Sequence, residues 1–158
     1  MEKQEKFIKA LRNLAYPVCV VSNIEKGECN AITVSSMTSL SIDPASLLVC
    51  INKSANIHKT IKKDNFLYVN LLSSLQEEIS TICSTSDTNV GRFDNDLWSY
   101  DRDGAPFLED SQAIIKCKIE EDIEYATHSI LILSISEVTL NSEKPDPLLY
   151  CNGQYSKL

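Results

Sequence analysis

The chain has 158 residues, of which 43% are hydrophobic and 23% charged, and this fits a single globular domain over residues 1–158. The formal net charge of −7 disfavours nucleic acid and anionic membranes as partners, because both attract basic surfaces and no basic run exceeds Lys62-Lys63. No apolar stretch approaches the length of a membrane span, and the N-terminus lacks the apolar core of a secretion signal. We therefore expect a cytoplasmic protein.

The cysteines and histidines do not form the pattern of a metal site. The two histidines, His58 and His128, are far apart and no Cys-x-x-Cys pair occurs, whereas zinc sites need clustered ligands. We predict no metal, and free thiols rather than disulfides, packed as small hydrophobic residues in a reducing compartment, at Cys19, Cys29, Cys50, Cys83, Cys117 and Cys151.

In the first half of the chain, apolar residues at helical spacing predict an amphipathic helix over residues 2–14, which Pro17 ends. Two β-branched runs around a turn then predict a hairpin, and a wholly apolar run predicts a buried central strand. These elements are strands 18–22 and 29–35 with the turn at 25–28, a further turn at Asp43-Pro44, and strand 47–52.

The second half contains short helices between strands. Ser54 is a suitable N-cap for a short helix through residue 63, and Ser74 with Glu77 forms the capping box of a helix to about residue 84. Polar, irregular sequence then predicts a long loop, which in a compact domain is usually functional or mobile. The remaining predicted elements are the loop 85–111, strands 66–72, 113–125, 129–140 and 148–151, and a hairpin turn at Asn152-Gly153.

The elements together predict a mainly β protein. At least six strands are expected, helices only interrupt them, and strict β-α-β alternation is absent, so a doubly wound parallel sheet is disfavoured. We predict an antiparallel β-barrel with short peripheral helices.

The glycines exclude the common phosphate-binding loops. Only four glycines occur, none in a dinucleotide-binding fingerprint or a P-loop. A phosphorylated cofactor would therefore need hydroxyls, amides at a helix start, or a few cationic side chains. The candidates are the hydroxyl-rich stretch 30–41, the strand-to-helix junction 52–56, and Gly91-Arg92-Phe93, of which the last is a weak signal alone. The simpler alternatives are a polar edge strand for the first and an ordinary N-cap with a solvated lysine for the second.

The histidines also allow two interpretations. His128 stands at the predicted start of a strand, where it could face a pocket and donate a hydrogen bond, although a lone histidine is more often structural. His58 lies on a predicted helix and is either a helix-face residue or a secondary phosphate contact. No local signature suggests a Ser-His-Asp or Cys-His pairing.

Several blocks of the sequence, taken in order, resemble the flavin reductase-like proteins with an FMN-binding split barrel. Each block is weak alone, but together they span nearly the whole chain. They are residues 16–22 (YPVCVVS), 30–44 (NAITVSSMTSLSIDP), 47–52 (LLVCIN), 66–73 (FLYVNLLS), 91–93 (GRF), 127–130 (THSI), 147–150 (PLLY) and 153–155 (GQY).

The resemblance implies a six-stranded, Greek-key-like split barrel that forms a homodimer, with one flavin per protomer near the interface. FMN is the expected flavin, with FAD as an alternative. The hydroxyl-rich strand would hold the ribityl-phosphate tail, the apolar strand would run beside the flavin ring, and later residues would close on the phosphate and ring. The implied cofactor-binding residues are Thr33, Val34, Ser35, Ser36, Ser39, Cys50, Ile51, Asn52, Ser54, His58, Arg92 and Phe93.

His128 matches the histidine that lies on the nicotinamide side in reductase members. Many reductases have Gly-Asp before this histidine, where the chain has Ala126-Thr127, and many have Asn-Gly where it has Asn30-Ala31. The resemblance implies that NADH or NADPH delivers hydride to the flavin, with His128 orienting the nicotinamide.

Three hypotheses follow. The first is an NAD(P)H:flavin oxidoreductase that passes electrons to a monooxygenase component, a small iron protein or oxygen. The second is an FMN-binding electron-transfer protein, similar to flavoredoxin, that NAD(P)H does not reduce directly. The third is a ligand-binding or structural barrel without flavin, which requires the hydroxyl-rich stretch to be an ordinary edge strand.

Overall fold

The computed structural model describes residues 2–85 and 91–158. The N-terminal helix α1 is Lys3–Leu11, shorter than the predicted 2–14, and α2 is Glu77–Ser84. A 3-10 helix spans Asn56–Thr60. The strands are β1 Tyr16–Pro17, β2 Cys19–Glu25, β3 Glu28–Val34, β4 Thr38–Ile42, β5 Ala45–Asn52, β6 Phe66–Leu71, β7 Ser99–Tyr100, β8 Pro106–Phe107, β9 Ala113–Tyr125, β10 His128–Leu140, β11 Leu149–Cys151 and β12 Gln154–Ser156.

Seven strands form one antiparallel sheet in the order β3-β2-β6-β9-β10-β5-β4, so β3 and β4 are its edges. The sheet curls without closing, which gives a split barrel with the two edge strands consecutive in sequence. The Ser36 hydroxyl, in the break between them, donates to the Cys50 carbonyl at 2.8 Å and accepts from the Cys50 amide at 3.2 Å. This contact links the segment between β3 and β4 to β5, next to the opening of the barrel.

Two groups of buried side chains form the core. Alternate residues of the main sheet fill the barrel, including Val21, Val49 and Leu131, because successive strand residues point to opposite faces. A second group packs under the β2–β3 hairpin, α2 and the C-terminal strands, including Ile79 and Leu148.

The cysteine prediction is confirmed, since each of the six is a free thiol. Cys19 and Cys117 lie in the barrel core and Cys83 in the second group. Burial raises the pKa of each of these three thiols to about 12, so they are inert packing groups.

Both predicted helix caps are wrong. Ser54 does not cap the 3-10 helix, because its hydroxyl and amide both donate to Asn52 Oδ1 at 2.9 Å, and Ala55 precedes the helix. Ser74 does not open a capping box, because α2 begins at Glu77 and the Ser74 hydroxyl donates to Asp146 Oδ2 at 2.8 Å. In each case the serine hydroxyl donates to another side-chain oxygen and is therefore not available to cap the helix.

The predicted loop 85–111 contains the small β7–β8 hairpin, and its residues 86–90 lie outside the described chain. The predicted turn at Asn152-Gly153 is confirmed: it joins β11 to β12, and both residues have positive φ angles of 50° and 78°. Within residues 2–85 and 91–158, neither α-helix is long and apolar enough to cross a membrane.

Candidate functional site

The hydroxyl-rich stretch spans two edge strands rather than one. β3 ends at Val34 and β4 begins at Thr38, so Ser35 and Ser36 lie in the break between them. The hydroxyl of Thr33, on β3, donates to the Ser80 carbonyl of α2 at 2.6 Å. Two of the predicted hydroxyls, on Thr33 and Ser36, therefore hold α2 and β5 around the split of the barrel.

A cavity of about 200 Å³ lies beside β3, between the end of β5 and the end of α2; we call it the Arg92 cavity. It brings together three of the predicted residues, Asn52, Ser54 and Arg92, although they are distant in sequence. The described residues that line it are Ala31, Ile32, Asn52, Ser54, Ala55, Asn56, Ile57, Ser84, Thr85 and Arg92.

Arg92 is buried, with 5% of its surface exposed. Its guanidinium donates to the Ala31 carbonyl at 2.6 Å and to the Thr85 carbonyl at 2.8 Å. These bonds fix a cation against β3 and the end of α2. Because the attraction between charges strengthens as water is excluded, a buried guanidinium favours an anion in the cavity that it lines.

A second cavity, of about 370 Å³, adjoins the first; we call it the Tyr150 cavity. Ser84 lines both. Three predicted residues, Thr33, Val34 and Ser35, form one wall, and the β11–β12 hairpin forms another with Tyr150, Gly153, Gln154 and Tyr155. The Tyr155 hydroxyl is 2.8 Å from the Ser80 hydroxyl, and its ring centroid is 5.5 Å from that of Tyr150. This wall is aromatic and fixed in position.

His128 lies beside the Arg92 cavity in the sheet. It is the cross-strand partner of Asn52, which lines that cavity, and its side chain is exposed. The Lys53 amide donates to the Thr127 carbonyl at 2.9 Å, and Lys53 Nζ is 2.6 Å from Glu124. The histidine expected to orient the nicotinamide is thus attached next to residues expected to hold the flavin.

His58 has a different environment from the expected one. Its Nε2 is 2.8 Å from the hydroxyl of Ser129, which is fully buried, and this contact joins the 3-10 helix to β10. The ring therefore uses one nitrogen inside the protein, and a role in phosphate binding stays a prediction.

The other predicted residues lie outside the two cavity linings. The Ile51 side chain is fully buried, so only its backbone could reach a ligand. Phe93 packs on Trp98, with ring centroids 4.8 Å apart, and belongs to the second core group. Cys50 is half-buried and bonded to Ser36 through its backbone, whereas Ser39 is exposed on β4.

The sequence interpretation missed two sets of lining residues. Ser84 and Thr85 end α2, and no local pattern distinguishes their hydroxyls from ordinary helix-end residues. Tyr150 and Tyr155 could have been found, because a two-residue turn at Asn152-Gly153 makes them cross-strand partners on one face.

The donors of the Arg92 cavity fit a phosphorylated ligand with a hydroxylated tail. Ser54, Ser84 and Thr85 carry hydroxyls, Asn52 and Asn56 carry amides, and the cation of Arg92 lies among them. Among the residues that the structure describes, no carboxylate lines this cavity. The lining therefore matches the phosphate and ribityl groups of a flavin better than a cationic ligand.

The comparisons with known proteins agree with this fold. The flavin reductase like domain matches residues 11–158, so the chain belongs to that family. A flavin reductase candidate from Haemophilus somnus 129PT superposes with a TM-score of 0.90 at 30% identity, covering 100% of both chains. The recognition and fold class predicted from the sequence are confirmed.

Two curated relatives cover similar shares of the chain. FMN reductase (NADH) RutF of Pseudomonas syringae pv. syringae B728a is 28% identical over 96% of this chain and 85% of its own length. The reductase component of FADH(2)-dependent resorcinol hydroxylase from Rhizobium sp. MTP-10005 is 30% identical over 96% of this chain and 85% of its own length.

Proposed function

We propose that this protein is an NADH-dependent flavin reductase that uses FMN and also accepts FAD. The observation that carries the proposal is the Arg92 cavity, where a buried guanidinium, hydroxyls and amides converge beside the split of a flavin reductase fold. The relative from Pseudomonas syringae is an NADH-dependent FMN reductase, which supports both the flavin and the hydride donor. The Rhizobium relative, whose hydroxylase partner depends on FADH2, supports FAD as an alternative.

Each residue of the cavity has a physical task. Arg92 supplies a positive charge whose position is already fixed by two carbonyls, so binding an anion costs little reorganisation. The hydroxyls of Ser54, Ser84 and Thr85 donate to Asn52 Oδ1 and to the Thr81 and Ile82 carbonyls. Their oxygens can therefore accept from ribityl hydroxyls, and donation to phosphate would replace one of these bonds. Thr33 and Ser36 hold the surrounding elements. Bound flavin supplies the acceptor for the hydride of NADH.

His128 would orient the nicotinamide rather than abstract a proton, since hydride transfer needs no general base. Its cross-strand pairing with Asn52 supports this role, because it places the exposed imidazole next to the cavity expected to hold the flavin. Holding two reactants in a defined orientation is itself a large source of rate enhancement.

We propose a monooxygenase or hydroxylase component as the electron acceptor, with a small iron protein or oxygen as alternatives. The Rhizobium relative is the reductase component of such a pair, which supports this assignment. The chain's six free thiols support a location in the reducing cytoplasm.

We propose a homodimer formed through an apolar surface on β4 and the end of β10. Leu40 and Ile42 on β4, and Val138 and Leu140 on β10, are exposed, with Ile42 at 89% and Leu140 at 74%. Aliphatic side chains this exposed favour a protein partner. Replacing Ile42 with Asp should convert a dimer to a monomer in light scattering; an unchanged mass would exclude this surface.

The test is anaerobic reduction of FMN by NADH with a catalytic amount of the protein, followed by the loss of oxidised-flavin absorbance. The proposal predicts rapid bleaching that depends on protein concentration. If FMN binds but neither NADH nor NADPH bleaches it, while a reduced iron protein does, the protein is the electron carrier of the second hypothesis. If FMN does not bind at all, the proposed site is wrong.

A further inference from the structure

The β9–β10 turn, residues 125–128, is attached to the end of β5. Tyr125 and His128 are cross-strand partners, so Ala126 and Thr127 form a two-residue turn, and Ala126 has a φ of 47°. Positive φ angles are usual in such turns, although a side chain makes them costly. The Lys53 amide donates to the Thr127 carbonyl, which holds the backbone of Thr127 in place.

The same residue contacts the functional histidine. Thr127 Oγ1 is 2.9 Å from His128 Nδ1, and no other side-chain hydrogen bond to this imidazole occurs within residues 2–85 and 91–158. A neutral imidazole has one nitrogen that donates and one that accepts. Whichever role Nδ1 takes towards Thr127, Nε2 takes the opposite role towards a ligand.

We propose that Thr127 is a positioning residue that selects the tautomer of His128. Its hydroxyl donates to Nδ1, which keeps the hydrogen on Nε2. The imidazole then presents an N–H donor, which suits the carboxamide oxygen of a nicotinamide. The role in NADH binding rests on the proposed function, whereas the tautomer is a property of the protein alone.

His58 provides an internal comparison. It contacts the Ser129 hydroxyl through Nε2, whereas His128 contacts Thr127 through Nδ1, so the two rings use opposite nitrogens. These are the chain's only histidines, so each ring can be assigned by replacing the other. A change at Thr127 should alter the His128 signals and leave those of His58 unchanged.

The experiment is a long-range proton–nitrogen NMR spectrum of histidine-labelled protein, at a pH above the usual histidine pKa of about 6.5. We expect Nε2–H for His128 in the wild type and in Thr127→Ser, and a mixture of tautomers in Thr127→Val. Thr127→Asp should favour Nδ1–H, because a carboxylate accepts. Unchanged His58 signals establish that each variant is folded.

Steady-state kinetics then test whether the tautomer of His128 affects NADH binding. Thr127→Val should raise the KM for NADH about three- to tenfold, the worth of one neutral hydrogen bond, with a smaller change in kcat. Thr139→Val, an exposed threonine elsewhere on β10, is the matched control and should change neither.

Three results would overturn the inference. They are an Nδ1–H tautomer in the wild type, His128 signals that are identical in Thr127→Val and wild type, and a changed tautomer with an unchanged KM. If the wild type does not oxidise NADH, the proposed function fails, and the NMR spectra still decide whether Thr127 sets the tautomer.

Discussion

The Arg92 cavity and a larger groove on the outer side of β6, β9 and β10 differ in the sign of the charges that line them. The groove, which we call the Asp101 groove, has a volume of about 750 Å³, against about 200 Å³ for the Arg92 cavity. Its lining is Tyr68, Tyr100, Asp101, Phe107, Glu109, Asp110, Ile114, Lys116, Glu137, Thr139 and Asn141. Size alone would have favoured the groove as the site.

The polar groups of the groove bind one another. Asp101 accepts from the Tyr68 hydroxyl at 2.8 Å, from Lys116 Nζ at 2.9 Å, and from the amides of Asp103 and Ala105 at 2.9 Å each. These bonds attach the β7–β8 hairpin to β6 and β9, so this cluster is structural.

The remaining carboxylates of the groove, on Glu109, Asp110 and Glu137, would repel a phosphate. Among residues 2–85 and 91–158, the lining of the Arg92 cavity includes a guanidinium and no carboxylate, and that guanidinium donates to the Ala31 and Thr85 carbonyls. The contrast favours the Arg92 cavity as the proposed flavin site because of the sign of the charge that lines it, although the groove has the larger volume. The predictions below test this contrast, in order of decreasing effect.

Replacing Arg92 with Leu should weaken FMN binding about 10- to 100-fold, the worth of a charge-assisted hydrogen bond to phosphate. Arg102→Leu is the matched control, since Arg102 lies at the edge of a cavity that shares Asp101 and Lys116 with the groove. Fluorescence titration with FMN measures the affinity of both variants. Equal affinity in the two variants would show that the Arg92 cavity does not hold the phosphate.

Replacing Asp101 with Asn should lower the free energy of unfolding by about 1–3 kcal/mol, because buried donors lose their charged acceptor. FMN affinity should stay unchanged, since the proposed flavin site is the Arg92 cavity. Urea denaturation measures the stability, with exposed Asp96→Asn as the control. A large loss of FMN affinity in a folded Asp101→Asn variant would move the site towards the groove.

The same carboxylate predicts a pH dependence. Burial opposes its ionisation, but hydrogen bonds from Lys116, the Ala105 amide and Tyr68 outweigh burial and lower the pKa of Asp101 to about 2. A lowered pKa stabilises the folded state above the unfolded value of about 3.9, and this contribution is lost as the pH falls towards 2. Wild type should therefore lose more stability between pH 5 and pH 2 than Asp101→Asn.

Replacing His128 with Asn should raise the KM for NADH about five- to tenfold, with FMN still bound, because one oriented hydrogen bond to the nicotinamide is lost. Stopped-flow reduction of the flavin measures this. Thr139→Val, an exposed substitution on the same strand, is the control and should leave flavin reduction unchanged. Unchanged reduction in His128→Asn would exclude the role.

Replacing Ser36 with Ala should have the smallest effect, about 1 kcal/mol of stability, because it removes one hydroxyl that bonds both backbone groups of Cys50. Ser39→Ala is the control, as Ser39 is exposed on β4 and should change stability little. Equal effects in thermal unfolding would mean that the Ser36 contact does not hold the split.

Most strands could be predicted from the sequence because their side chains alternate or are wholly apolar, as in β5 and β9. The two helix caps could not, because the Ser54 and Ser74 hydroxyls bond other side chains, and Asp146 lies far from Ser74 in sequence. Local pattern cannot reveal a partner as distant as Asp146, whereas Asn52 lies only two residues before Ser54 and a local turn motif could have indicated it.

The candidate site could be predicted only in part, because the sequence shows local patterns and not spatial neighbours. Asn52, Ser54 and Arg92 were candidates from local pattern and then from the resemblance, and the structure brings them to one cavity. Ser84 and Thr85 were missed, because a hydroxyl at a helix end has no distinguishing pattern. Val34 and Ile51 were named for their place in the strands, although their side chains pack in the core.

The most direct test of the central claim compares the binding of FMN with that of riboflavin, which lacks the phosphate. If Arg92 and its neighbouring hydroxyls hold the phosphate, wild type should bind FMN at least about tenfold more tightly than riboflavin, and Arg92→Leu should lose most of that difference. Equal affinities of wild type for the two flavins would contradict the account, because the Arg92 cavity would then not be the phosphate site.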